Sequence, residues 1–374
     1  MSDVWRRVAA TVALLCVTAC GASDTNEAAV GAGRLAIQRV LTGDDSGFLK
    51  AEAPRPFVFP EDHGAHPDYR SEWWYLTCTL AAGDGRRFGA QFTLFRQGLV
   101  ARPPTANPWR SGQVYLAHLA LTDVAAGRHY EHARWARGHP MLAGAESRPF
   151  SVWMEDWRLF STGEEFVPLS LAARADDFAL ALEVHAGKPW VAQGEAGLSR
   201  KGKGEASYYY SFPRLKVSGS LETGGRDVTV QGLGWLDREW STSVLSPAHR
   251  GWDWFGLHLD DGSDVMVFRL RRHDGTRDPF DAGLRVGEDG ERTALDRDDF
   301  ELTVTRTWRD VEGIEWPVAW RLEGLADEPW RIEAVLNDQR MDTTIVYWEG
   351  LVDVRDAHGA RLGEGYMELT GYTR

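Results

Sequence analysis

Apolar and polar positions alternate in short runs along this chain, and Gly, Pro or Asp-Gly pairs close most of them. A period of two over such lengths predicts half-buried strands, and no long run carries the period of an amphipathic helix. Glu72 to Leu80 predicts a strand, Gly83-Asp84-Gly85 its turn, and Phe88 to Phe95 the returning strand. Further strands are predicted at Val114 to Thr122, Phe150 to Leu159, Phe178 to His185 and Tyr208 to Phe212. A second series opens at Gly251-Trp-Asp-Trp-Phe255, turns at Asp261-Gly262 and returns through Phe268, echoing the hairpin that begins near Trp74. It continues at Leu284 to Val286, Phe300 to Trp308, Val318 to Leu322, Trp330 to Leu336, Ile345 to Leu351 and Tyr366 to Tyr372. Two similar antiparallel β halves joined near residues 220 to 245, with domains at 56–230 and 231–374, are the simplest account. Periodicity alone does not separate barrels from sandwiches.

Composition sharpens this expectation. The 374 residues include 17 Trp and 39 Gly, which suits many short aromatic strands joined by tight turns rather than a helical bundle. A net charge of -13 excludes a nucleic-acid partner of the usual kind, which needs a basic stripe to displace counterions. At the start, Arg6 and Arg7 precede an apolar run from Val8 to Ala19 that is too short to span a bilayer. Val17-Thr-Ala-Cys20 resembles a bacterial lipobox, with Cys20 as the lipidated residue; the alternative is an ordinary secretory signal cut nearby. Residues 1–19 are then a signal peptide and 20–55, rich in small and polar residues, a tether. Residues 34 to 42 have room for a turn or two of helix. Gly21 after the cysteine implies an outer-membrane lipoprotein facing the periplasm of a Gram-negative envelope, so the membrane is reached through the lipid anchor. Cys16 would be removed and Cys20 acylated, leaving Cys78 as a buried strand residue with no disulfide partner.

Candidate chemistry centres on Gly232-Leu-Gly-Trp-Leu-Asp-Arg-Glu-Trp240. In a strand, Trp235, Asp237 and Glu239 share one face, so two carboxyls and an indole point into one space. Desolvation there raises a carboxyl pKa and suits Asp237 to act as a general acid, with Glu239 as base or orienting group. The bland alternative is a turn Asp with an Arg238 salt bridge. Upstream, Tyr208-Tyr-Tyr-Ser-Phe-Pro213 offers Tyr209 or Tyr210 as an assisting hydroxyl, against the usual reading of an aromatic run as core. A buried tyrosine needs a hydrogen-bond partner, and Asp237 or Glu239 is a natural one. Asp62-His63-Gly-Ala-His66-Pro-Asp68 holds two His and two Asp, but close spacing in a Pro/Gly loop does not show the convergence a metal needs, and no metal is assigned. His66 and Glu72 are instead expected to hydrogen-bond at the mouth or floor of the first barrel, for structure or for ligand contact. His118 and His258 read as satisfied core histidines, and Ser199-Arg-Lys-Gly-Lys-Gly-Glu-Ala206 as an exposed loop with solvated charges. No nucleophile elbow, P-loop or dinucleotide fingerprint is present, and no cofactor is expected.

These residues resemble those of a known family, the lipocalin-like carotenoid 1,2-hydratase (CrtC) and AttH family. The likeness rests on Asp62-His-Gly-Ala-His-Pro67, Glu72-Trp-Trp-Tyr75, Tyr209-Tyr-Ser-Phe-Pro213, Gly232 to Trp240, Gly251-Trp-Asp-Trp-Phe255, Tyr347-Trp-Glu-Gly350 and Gly365-Tyr-Met-Glu-Leu-Thr-Gly-Tyr372. It implies an all-β fold of two tandem lipocalin-like, calycin-type antiparallel barrels. In the hydratases of the family an Asp protonates an isolated carbon–carbon double bond and water captures the cation; Asp237 occupies the matching place. Trp235, Trp240, Trp252 and Trp254 would present faces to such a cation, with Trp74 beside them. Three positions depart from the hydratase pattern: Trp235 stands where those enzymes have Tyr, and Tyr208-x-Tyr210 falls on their His-x-Trp. The exported AttH-like branch carries the label of secreted hydrolases. The expectation is therefore a hydrophobic small molecule or lipid held in an aromatic barrel cavity. It would undergo hydration, cyclisation or hydrolysis, or else be carried unchanged to or from an envelope transport system.

Overall fold

The computed structural model describes residues 45–101, 111–243 and 245–373; the signal segment, Cys16, Cys20 and the turn of helix expected at 34–42 lie outside them. Among the described residues the regular structure is strand, apart from a 3-10 turn at Glu61–His63. The first sheet contains β1 (Ser71–Ala82), β2 (Arg87–Gly98), β3 (Gln113–Asp123), β4 (Arg128–Arg137), β5 (Ala143–Ser147), β6 (Phe150–Met154) and β7 (Trp157–Ser161). It continues with β8 (Leu169–Arg174), β9 (Phe178–Ala186), β10 (Val191–Ala192), β11 (Leu198–Arg200), β12 (Ala206–Thr223) and β13 (Arg226–Ser243). The second contains β14 (His249–Leu259), β15 (Asp264–Arg272), β16 (Ala282–Val286), β17 (Arg292–Asp296) and β18 (Glu301–Arg309). Its remaining strands are β19 (Glu315–Glu323), β20 (Trp330–Ala334), β21 (Arg340–Asp342), β22 (Val346–Arg355) and β23 (Arg361–Leu369).

Each sheet is antiparallel, and in each the last long strand returns to pair with the first: β13 with β1, and β23 with β14. The first order runs β4-β3-β2-β1-β13-β12-β9-β8-β7-β6-β5 and curls into a barrel; the second runs β17-β16-β15-β14-β23-β22-β20-β19-β18 and curls into a half-barrel. The two-domain, lipocalin-like fold read from the sequence is the fold observed, with the second barrel less complete than the first.

Among the described residues the apolar side chains form three large layers, beside a small cluster of Val191, Leu284 and Val286. One fills the barrel and includes Trp74, Phe92, Trp157 and Trp240; a second fills the half-barrel around Trp316, Trp320 and Trp348. The third lies between the sheets and includes Tyr75, Leu116, Tyr209, Trp235, Trp254, Phe268, Tyr347 and Tyr366. Strands such as β1 therefore have both faces covered, which explains their nearly unbroken burial. Polar latches reinforce the seam. Asp264 accepts from Lys188 Nζ at 2.7 Å and Arg214 Nε at 3.0 Å and meets His258 Nδ1 at 2.8 Å, while Arg87 reaches Asp353 and Glu364 at 2.7 and 3.0 Å.

Several expectations change. The boundary at 230/231 falls inside β13, which belongs wholly to the first sheet, so the chain changes sheets only after Ser243. β13 runs through because Gly232 lets β1 approach closely: a Cβ there would collide with the Thr79 carbonyl oxygen. The last residues of the expected tether pack on the body: Phe48 and Ala51 are buried, and Tyr208 Oη donates to the Ala53 carbonyl at 2.9 Å. Phe150 to Leu159 is two strands, β6 and β7, turned at Glu155, whose φ is 55°. Cys78 is buried in β1 and free, as expected.

Candidate functional site

The register of the first sheet sets out the site in rows. Ser211 lies opposite Asp237, Asp237 opposite Tyr75, Tyr75 opposite Thr93 and Thr93 opposite His118, on five successive strands. The adjoining row, two residues along each strand, is Tyr209, Glu239, Trp73, Phe95 and Leu116. Two residues along a strand return to the same face, so both rows look out of the barrel towards the second sheet. That sheet answers with Trp252 and Trp254 of β14, Phe268 and Leu270 of β15, Tyr347 of β22 and Glu368 of β23. Between them is a cavity of about 90 Å³, its wall largely aromatic and aliphatic.

Asp237 is buried against this space with three donors on its carboxyl. Tyr209 Oη donates to Oδ2 at 2.6 Å, and Ser211 Oγ and Trp235 Nε1 donate to Oδ1 at 2.5 and 2.6 Å. Trp254 Nε1 donates to Tyr209 Oη at 3.3 Å, so the second sheet steadies the same network. Burial pushes the Asp237 carboxyl up to about 7; the three donors oppose the rise and neighbouring Glu239 adds to it. Glu239 accepts from Ser207 and faces Lys201 Nζ at 3.6 Å. Lys201 lies over the Phe268 ring, Nζ 3.9 Å from its centroid, and burial lowers its pKa against the pull of Glu239 and Asp237.

Two more carboxyls stand on the second sheet. Glu368 is directly opposite Glu349 across β23 and β22, and opposite Trp254 on its other side. Tyr75 Oη crosses the seam to donate to Glu349 Oε1 at 2.6 Å. Burial raises Glu368 to about 8, with Asp237 and Glu239 reinforcing it, and raises Glu349 well above the carboxylate range, with Glu368 reinforcing it. Burial also holds the phenols of Tyr75, Tyr209 and Tyr347 far above their usual value, so they remain donors. The seam thus holds carboxylic acids kept neutral by an apolar setting, which can give up protons near neutral pH.

The chain matches the AttH-like family over residues 50–372. It belongs to that family. The crystal structure of an AttH homologue from Nitrosomonas europaea is 35% identical, with a TM-score of 0.75 over 86% of this chain and 100% of that one. Kievitone hydratase from Nectria haematococca aligns at 16% identity and a TM-score of 0.65, covering 88% of this chain and 97% of its own. CghA in complex with Sch210972 aligns at 14% and 0.53 over the same shares. At those identities the last two show a common fold. No curated protein matches the sequence.

Of the residues singled out from the sequence of this AttH-like protein, Asp237, Glu239, Tyr209, Trp235, Trp252 and Trp254 meet at the seam. Trp74, Tyr210 and Trp240 do not: strand alternation turns them into the barrel core, where Tyr210 Oη meets His63 Nδ1 at 2.6 Å. His66 stacks on Trp240 at 3.9 Å and bonds Glu72 and Asp62, a structural knot at the barrel end. Glu72 borders the cavity, but its carboxylate is committed to Arg96, Arg238 and His66. Arg238 pairs with Glu72 on the face away from Asp237, and Asp237 lies within β13, so among the described residues it is neither a turn residue nor paired with Arg238. The cavity lies between sheets rather than inside a barrel, because the barrel is already filled by its own apolar layer.

The sequence reading missed Tyr75, His118, Lys201, Glu349 and Glu368. For the glutamates a signal was present: Tyr347-x-Glu349-x-Leu351 and Tyr366-x-Glu368 place a carboxyl on an otherwise aromatic or aliphatic strand face. Lys201 had none, since its glycine-flanked surroundings read as solvated, yet it is buried while Lys203 stays exposed. Among the described residues His118 is satisfied at one nitrogen, Nδ1 meeting Tyr347 Oη at 2.7 Å. His258 is paired with Asp264, as a core histidine should be.

Proposed function

We propose that the seam binds an apolar or amphipathic small molecule and that Asp237 acts on it as a general acid. The carboxyl gives its proton to one carbon of an isolated double bond, and the aromatic faces of Trp252 and Trp254 stabilise the cation formed at the other. Water adds to that carbon and loses a proton directly to Asp237, or to Glu239 and from there to Asp237, so the enzyme is restored. Capture by a second double bond of the same ligand closes a ring and moves the cation to a new carbon, which then loses an adjacent proton to the Asp237 carboxylate and restores the acid. Tyr209 orients Asp237 and covers its charge while it is ionised. The observation that carries this reading is the Asp237 carboxyl itself: three neutral donors, no ion pair among the described residues, and an aromatic cavity beside it. A protein of the same fold bears the name of a hydratase, the reaction class proposed here.

A carrier is the second reading. It is favoured by the neutral state in which burial holds Asp237, Glu349 and Glu368 at moderate pH, which leaves a seam lined chiefly by uncharged groups. In either case we place the protein in the bacterial envelope, tethered through lipidated Cys20, with an envelope transporter as the carrier's partner. Cys20→Ala should release it from membranes.

The two readings separate in heavy water. Protein purified gently with whatever it holds is incubated in D2O beside Asp237→Asn, and the extracted ligand is weighed by mass spectrometry. Deuterium or added water in the wild-type ligand alone is the expected result. A ligand returned unchanged by both proteins removes the acid role and leaves the carrier.

A further inference from the structure

The polar row on the first sheet has two ends, and only the Asp237 end enters the proposed chemistry. At the other end is His118, fully buried in β3 and part of the cavity wall. Its ring stands edge-on to Phe95 and stacks with Tyr347, so it has one orientation. Burial keeps the Tyr347 phenol protonated, and its hydrogen is donated to the partner beside it, His118 Nδ1 at 2.7 Å. An imidazole that accepts at Nδ1 carries its hydrogen on Nε2. Burial keeps the ring neutral, down to about 3. Nε2 is buried and has no acceptor among the described residues.

A buried donor without an acceptor is costly, and the group that supplies one gains specificity as well as affinity. We propose that His118 Nε2–H anchors an oxygen function of the ligand, so that the seam takes a neutral amphipathic molecule, an apolar chain bearing a carbonyl or hydroxyl, in preference to a plain hydrocarbon. This rests on the seam being a binding cavity and is independent of the acid chemistry at Asp237. Three strand spacings separate the His118 and Asp237 positions, about 14 Å between strand axes. The oxygen function and the reactive part of the ligand therefore lie at opposite ends of one chain. Two buried cations border the cavity, and each is engaged with a carboxylate: Lys201, on the Asp237 side, with Glu239, and Arg96 with Glu72 and the carbonyls of His66 and Tyr69.

The test compares farnesol, farnesal, farnesene and farnesoic acid, which share a carbon skeleton and differ at its head, by quenching of tryptophan fluorescence in the full chain. Farnesol and farnesal should bind about tenfold more tightly than farnesene, and His118→Phe should erase that difference. Because His118→Phe strands the Tyr347 hydroxyl and can harm folding, the wild-type protein provides a second readout. With 15N-labelled histidine, farnesal should move the His118 Nε2 resonance and farnesene should leave it in place. Equal binding of farnesene and farnesal, or an unmoved resonance on saturation with farnesal, overturns the anchor while leaving the cavity. Tightest binding by farnesoic acid overturns it in favour of Lys201. Binding of none of the four overturns both the anchor and the cavity.

Discussion

Glu72 and Asp237 sit on neighbouring strands of one sheet, both buried, and meet opposite fates. Glu72 faces the barrel. Burial pushes its pKa upward, but Arg96 and Arg238 outweigh it and hold the carboxyl well below its usual range. Asp237 faces the seam, where burial meets three neutral donors and a like-charged neighbour, and its pKa rises to about 7. Arg238 is adjacent to Asp237 in the chain, yet its guanidinium lies 3.9 Å over Trp74 on the other side of the sheet. A strand's period of two therefore partitions charge: Arg96 and Arg238 went to the structural face, and Asp237 was left on the seam with neutral donors. One carboxylate fixes architecture and the other is free to exchange a proton.

The contrast can be broken most severely at the structural face. Arg238→Met leaves Glu72 partly uncompensated in a dry interior and should cost about 3–5 kcal/mol in urea unfolding. A loss below about 1 kcal/mol would mean that Arg96 alone suffices.

The seam gives a smaller effect with the opposite pH sign. An acid whose folded pKa exceeds its unfolded value binds its proton more tightly in the native state. Below about pH 4 both states hold the Asp237 proton and nothing is lost. Between about 4 and 7 the unfolded chain releases it first, so stability falls as pH rises, and above that window the penalty is complete. Asp237→Asn should therefore gain on wild type from pH 5 to pH 9, by on the order of 1–3 kcal/mol. Glu72 contributes in the other direction, its stabilisation present at neutral pH and lost as pH falls below about 4, so Glu72→Gln should converge on wild type in acid.

Smaller changes sharpen the picture by carboxyl-detected NMR titration. Tyr209→Phe removes a donor from the ionised form, and Asp237 should titrate higher by roughly one unit. Asp237→Asn removes a charge that disfavours ionisation of Glu368, which should then titrate below about 8, by a few tenths of a unit. An unchanged Glu368 would show that burial alone sets its pKa.

Much of this was legible along the chain. Alternating apolar runs, Gly-Asp punctuation and the echo of Trp74 at Trp254 carried the all-β, two-part fold, and the shared face of Trp235, Asp237 and Glu239 followed from the period of a strand. The choice between Tyr209 and Tyr210 stayed open because alternation says that they face apart, not which one faces Asp237. Glu349 and Glu368 are separated from Asp237 by more than a hundred residues, and their meeting depends on two curled sheets laying their outer faces together.

The sequence by itself determined periodicity, and with it the strands and the one face that Trp235, Asp237 and Glu239 share, because these are properties of residues a few positions apart. Tertiary structure alone decided that the barrel would be full and the cavity would lie between the sheets. It also decided that Lys201 would be buried, and that His118, on the cavity wall, would have one nitrogen satisfied and the other without a partner among the described residues. Those outcomes depend on which surfaces are brought together and how much water is excluded. Burial and partner geometry are sums over the folded chain and have no local signature.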